Sequence, residues 1–202
     1  DRTHDLELAS DVGRTIAEKV ENISIMLTDA MEMIRARFNL YYTQVYLLDP
    51  SGQTITLRAG TGEAGRQLLQ RGHHLLINSS SLNGRAVSEK KPVIVADTQK
   101  SGTFLPNPLL PNTRSEMAIP LLVGDKVLGV LDMQSEFANA LNEDNLAAFQ
   151  VLAGQLSVAI QNATLFAQSE EARKQVEANT RRTTENGWQE FLNGTDRREK
   201  IG

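Results

Sequence analysis

Gly60-Thr61-Gly62-Glu63-Ala64-Gly65 has the spacing of a loop that could hold a dinucleotide's phosphates on backbone N–H groups. It falls between a β-forming run and a helix-forming one. That chemistry also needs a parallel βαβ unit and an acidic residue about 20 positions further on for the ribose. Residues 79–85 supply only serines, Leu82, Asn83, Gly84 and Arg85, so the motif reads as a glycine-rich turn from strand to helix. His73 and His74 are the next candidates. Adjacent residues of an extended segment point to opposite faces and cannot chelate one ion together. His4, the third histidine, is remote in sequence, so no metal site is expected, although His74 could face a pocket. Ser79–Ser81 lie outside any G-x-S-x-G turn and read as a helix start. The chain has no cysteine, which excludes a disulfide scaffold, thiol catalysis, thiolate zinc sites and a thioether-attached chromophore. No catalytic residue is expected.

The remaining polar candidates surround one loop. Asp97 ends the apolar run 93–97 and opens a long segment, 98–113, that carries Pro106, Pro108 and Pro111. A loop of this length in a compact domain is usually functional. Asp97 could cap its backbone amides or touch a ligand. Arg114 and Glu116 flank Ser115 just beyond it and, two residues apart on a strand, share a face. They form either a salt link within the sheet or two polar groups at the mouth of a pocket that the loop covers. In the second case Phe104, Leu105 and Leu110 would keep water out. The donor fork of Arg114 suits a carboxylate or phosphate, so a small anion is the expected ligand class. The loop is also apolar enough to fill such a pocket itself.

The elements that must position these residues follow from periodicity. Steps of three and four place Val12, Ile16, Ile23 and Leu27 on one stripe of a helix over 1–38. Tyr42–Asp49 and Thr54–Ala59 form a hairpin across Pro50–Gln53. A short helix (62–72), a β stretch (73–77), a serine-capped helix ending before Pro92 and a strand (93–97) come next. Residues 114–123 and 127–135 make a second hairpin, with Val127, Gly129, Leu131 and Met133 on one face and Leu128, Val130, Asp132 and Gln134 on the other. Leu156, Ile160 and Ala163 lie on the stripe of a helix over 142–185, and 186–202 reads as a linker or frayed tail. Two hairpins require antiparallel pairing, which predicts an α+β fold. A helix of the first one's length spans about 55 Å, far more than a strand of ~17–20 Å, so the two apolar stripes are expected to join two copies of the chain.

Composition sets outer bounds. The 202 residues suffice for one core with helical attachments. Twenty-one basic against 25 acidic residues give a net charge of −4, with no basic surface for nucleic acid. The apolar runs are too short for membrane insertion. The chain opens on Asp1 without a signal peptide, which points to a piece of a longer cytoplasmic protein or the cytoplasmic part of an anchored one.

Four segments in order, 37–62, 84–98, 113–135 and 142–166, resemble a GAF domain, the sensory relative of PAS domains. The run "SEMAIPLLVGDKVLGVLD" (115–132) is the most telling, and the resemblance is closest to GAF modules of bacterial multidomain sensor histidine kinases. It implies a central antiparallel sheet, terminal helices on one face, and a ligand cavity on the other beneath 62–90 and 98–113. It also implies parallel homodimers whose helices continue as coiled coils to adjacent modules. Bilin attachment lacks its cysteine; the N-K-F-D-E motif of cyclic-nucleotide-binding relatives has no match; haem would have only His73 or His74 as ligand. No cofactor is therefore expected. The expectation is a non-enzymatic sensory module that binds a small molecule, or alternatively a ligand-free relay, with any kinase activity elsewhere in the parent.

Overall fold

Asn22 begins the first long helix by accepting hydrogen bonds from the N–H groups of Ser24 (3.0 Å) and Ile25 (3.3 Å) at its side-chain oxygen. The helix, α1 (Ile23–Arg37), buries Met26, Leu27, Ala30, Met31 and Ile34 and closes at Asn39 in the left-handed conformation (φ 50°). These features belong to a computed structural model that describes residues 5–11, 22–78 and 80–199, with side chains to residue 189. Residues 5–11 are also helical and place Ala9 in the same core. Val12 and Ile16 lie outside the described residues.

The chain then forms β1 (Tyr42–Leu48), β2 (Thr54–Gly60), α2 (Gly62–Gln70), β3 (His74–Leu76), α3 (Leu82–Glu89) and β4 (Val93–Val95). β5 (Ser115–Val123), β6 (Lys126–Ser135) and α4 (Leu146–Glu199) follow. The glycines of the 60–65 motif serve packing. Gly62 takes a φ of 61°, and a Cβ on Gly65 would stand 2.1 Å from the Gly60 carbonyl, so strand end and helix start touch backbone to backbone. Ser81 caps α3 by accepting from Gly84 N (2.9 Å).

All strand pairs are antiparallel, in the order β3-β2-β1-β6-β5-β4. The long strands β1, β6 and β5 fill the centre, and three-residue strands form both edges. One face carries α1 and the first turns of α4, with Val45, Met117, Ile119, Leu131 and Met133 meeting Leu27, Ile34, Leu152 and Leu156. The other face carries Tyr46, Leu57, Ala118 and Val130 against Leu68 of α2 and Val87 of α3. This is the expected α+β architecture with its two terminal helices.

Two irregularities shift faces. Leu121 pairs with Gly129 and Leu122 with Val127, leaving Leu128 as an extra residue. The bulge turns Leu128 toward the helices and Val127 toward the opposite layer, reversing the alternation expected for those two residues alone. A second bulge near Val45/Tyr46 leaves Arg58 exposed between Leu57 and Ala59.

The stripes expected to join two copies are used differently. Leu27, Leu156, Ile160 and Ala163 are buried in the protomer's own core, and Ile23 packs at its border. A six-stranded sheet and the mutual contact of α1 and α4 cover the apolar surface that one small sheet could not. The residues divide into two units, 1–163 and 164–202. In the second, α4 runs to Glu199 rather than fraying after 185. No proline interrupts it, Arg173 bridges Glu170 and Glu177 at 3.0 Å each, and Gly187 weakens it by only about 1 kcal/mol. No helix among the described residues is long and apolar enough to cross a membrane. Leu131 is fully buried between both terminal helices and the sheet, so Leu131→Ala should lower stability by about 2–5 kcal/mol in denaturant unfolding.

Candidate functional site

Alternation along β1 sends Thr43 and Val45 to the helix face and Tyr42, Gln44 and Tyr46 to the other. Gln134 on β6 stands opposite Glu116 on β5, and Gln44 opposite Asp132, so three adjacent central strands place a polar ladder on one face. Above it, α2, β3, α3 and the loop 98–113 leave a cavity of about 620 Å³, within the usual range of small-molecule sites. Gln44, Tyr46, Glu116 and Gln134 form its floor. Asn83 and Arg85 of α3, His73, and residues 103–109 of the loop form its walls.

The floor is closely bonded. Asp132 Oδ2 accepts from Gln44 Nε2 (2.6 Å) and Gln134 Nε2 (3.0 Å). Gln44 Oε1 accepts from both tyrosine hydroxyls, Tyr42 and Tyr46, at 3.1 Å. Gln134 Oε1 accepts from Thr113 Oγ1 (2.6 Å), which ties the loop's end to the floor. Asn83 Oδ1 is buried and has no donor, while Asp132 is also hydrogen-bonded by the Glu116 carboxyl and by Asn83. Burial, followed by the charge of Asp132, raises the Glu116 carboxyl well above the ordinary range. Burial raises Asp132 as well, against the hydrogen bonds that favour its charge. The same burial, then the Asp132 charge, pushes the Tyr42 and Tyr46 phenols upward, so both remain neutral donors.

Of the residues singled out in the sequence, Glu116, Phe104 and Leu105 line this cavity. Leu110 is buried in the layer beneath the loop. Asp97 and Arg114 pair with each other at 3.3 Å outside the lining, where Asp97 also accepts from Gln99 N (3.1 Å). Burial favours a neutral Asp97, but the Gln99 and Arg114 hydrogen bonds and the charges of Arg114 and Lys100 outweigh it and hold its carboxyl below the usual range. Arg114 therefore clamps the loop's stem and does not meet Glu116 in the cavity. His74 lies on exposed β3, and it is His73 that reaches the cavity, its ring 6.0 Å from Tyr46. Burial, then the neighbouring His74, lowers the His73 imidazole and favours its neutral form. Gln44 and Asn83 are site residues that sequence reasoning passes over. The Tyr42-Gln44-Tyr46 alternation in an otherwise apolar strand is the available signal for the first. Among the described residues no three His, Asp or Glu side chains group as a metal site requires.

A family profile described as a GAF domain matches residues 21–161, well over half of the chain. The chain belongs to the GAF domain family. The GAF domain of a Coxiella burnetii phosphoenolpyruvate-protein phosphotransferase superposes with a TM-score of 0.71 at 17% identity, over 83% of this chain and 99% of that one. The corresponding Acinetobacter domain gives 0.67 at 21% identity, over 82% and 98%. A free methionine-R-sulfoxide reductase from Neisseria meningitidis, solved in complex with its substrate, gives 0.65 at 18% identity, over 79% and 89%. No curated protein matches the chain. The expectation of a non-enzymatic module is overturned by the reductase, in which this same fold carries catalysis. The sensor-kinase kinship is likewise narrower than these relatives, which are phosphotransferase domains and enzymes.

The raised carboxyls set a pH dependence. The folded GAF domain holds these protons more tightly than the unfolded chain, so their stabilising contribution is present at low pH and lost as pH rises past the ordinary glutamate range. The loss is at most about 1.4 kcal/mol per pH unit for each proton. Urea unfolding between about pH 5 and about pH 8 should show the stability of Glu116→Gln rising relative to the unaltered chain as pH increases.

Proposed function

We propose that this GAF domain is the regulatory input module of a bacterial signal-transduction protein, a sensor histidine kinase by its resemblance over 113–135. It binds a small molecule in the cavity and transmits through the terminal helices. The cavity carries this reading. Its floor is made from the strands whose reverse face holds α1 and the start of α4, so one backbone serves both layers. Gln44 faces the cavity, while its neighbour Thr43 donates from Oγ1 to the Met31 carbonyl of α1 at 2.7 Å. Glu116 and Gln134 face the cavity, and their chain neighbours Met117 and Met133 enter the helix core. A ligand that favours one strand arrangement thereby favours one helix arrangement, by as much as its affinity differs between the two. A ligand-free relay would need the loop to fill this space, yet Leu110 enters the core while the cavity stays open beside it.

Hydrogen exchange of the chain, with and without a fractionated metabolite extract, tests this. Protection of 103–116 together with altered exchange in 23–37 and 146–163 is the expected result. Protection of the loop alone would mean binding without transmission, and no change in either would favour the relay.

The module also acts as a homodimer in this reading. With the inner stripes buried, the contact passes to exposed Val151, Val158 and Leu165, which recur every seven residues along α4. Seven residues is the heptad period of a coiled coil, and these three fill one position of it. Light scattering on a sizing column should give about twice the mass of the 202-residue chain, and Val158→Glu should shift it toward one. A single-chain mass at every concentration would remove dimerisation from the proposal.

A further inference from the structure

Donors and acceptors do not balance at the cavity floor. Gln44 and Gln134 each already direct an N–H at Asp132 Oδ2, and the hydroxyls of Tyr42, Tyr46 and Thr113 donate to the glutamine oxygens. What remains toward the cavity is the Glu116 carboxyl, hydrogen-bonded to Asp132 behind it, and Asn83 Oδ1, which has no donor. Asn83 is 5% exposed, lines the cavity, and its oxygen has no partner. Asp132 is fully buried directly behind the floor. Buried acceptors without donors are costly, and a ligand that brings N–H groups removes that cost.

We infer that the cavity takes a small organic cation, a primary ammonium or an amidinium, with its N–H groups directed at Glu116 and Asn83, and that its entry displaces a proton from the Glu116–Asp132 pair. This deepens the proposed ligand-binding role and rests on it. It also replaces the anion suggested by Arg114, whose guanidinium is held by Asp97 outside the cavity.

Two carboxyls buried side by side cannot both ionise cheaply, so the pair retains a proton between them. An ammonium makes the second ionisation favourable. The proton leaves for solvent as the cation enters, and the buried charge stays balanced. The other ionisable groups are compatible with this. Tyr42 and Tyr46 on β1 stay neutral, and His73 is held toward its neutral form. Arg71 at the end of α2 is exposed and screened by water, and Arg85 on α3 is half-buried in the wall, apart from the buried floor that holds Glu116.

An NMR titration of the isotopically labelled chain with n-butylammonium, butanamide and butyrate tests the inference. n-Butylammonium should saturably shift the backbone amides of 44–46, 116–118 and 132–134. At constant pH it should also move the Glu116 carboxyl carbon signal to its ionised position. Glu116→Gln should bind it about tenfold more weakly, the loss expected for one charged hydrogen bond. The carboxyl signal is read on the unaltered chain, so the test survives a variant that fails to fold. Equal or tighter binding of butyrate or butanamide at these residues, or saturation by n-butylammonium with an unmoved carboxyl signal, would overturn the cation while sparing the ligand-binding role. No shift from any of the three would overturn both.

Discussion

Asp132 lies in a central strand of the sheet with a side chain fully removed from water, and one of its oxygens accepts from Gln44 on the neighbouring strand and from Gln134 two residues along its own. A buried carboxyl requires such partners, because losing its hydration without them would cost several kcal/mol, on the order of the whole domain's net stability. Its partners are constrained in turn. Gln44 can donate to Asp132 only with its oxygen turned toward the two tyrosines, and Gln134 only with its oxygen turned toward Thr113. One acid thus orients two amides, two phenols and the closing residue of the long loop. It links β1, β6 and the end of the loop through side chains in addition to the backbone ladder.

That network also explains the contrast between the two faces of the sheet. The helix face is filled by Met, Leu, Ile and Ala, which pack by shape and tolerate no solvent. The opposite face is apolar at its margins and polar at its centre, so the helices and loop above it cannot close down without stranding polar groups. A cavity persists there for the same reason that the other face is solid.

Much of this arrangement was legible in residue order. The two hairpins, the serine cap of α3 and the turn reading of the 60–65 glycines each depend on local chemistry, and local chemistry is what a sequence displays. The partners of Arg114 were not legible. Asp97 is 17 residues away, and the choice between Asp97 and Glu116 depends on where the loop's two ends meet. The bulge at Leu128 was hidden because Val-Leu-Gly-Val alternates equally well in either register. Apolar stripes on the terminal helices were visible, but whether a sheet or a second chain would cover them depended on the width of the sheet. The polar floor was half visible: Asp132 and Gln134 stood out on an apolar strand, while Gln44 became significant only when β1 was seen to pair with β6.

Both edges of the sheet are three residues long, β3 at one side and β4 at the other, whereas the strands in the middle run to seven, nine and ten. An exposed edge offers unpaired N–H and C=O groups that can recruit a strand from a neighbouring molecule. Edges this short give an incoming strand too few ladder bonds to hold. Many copies could therefore be crowded on one scaffold, or repeated along one polypeptide, without polymerising through their sheets.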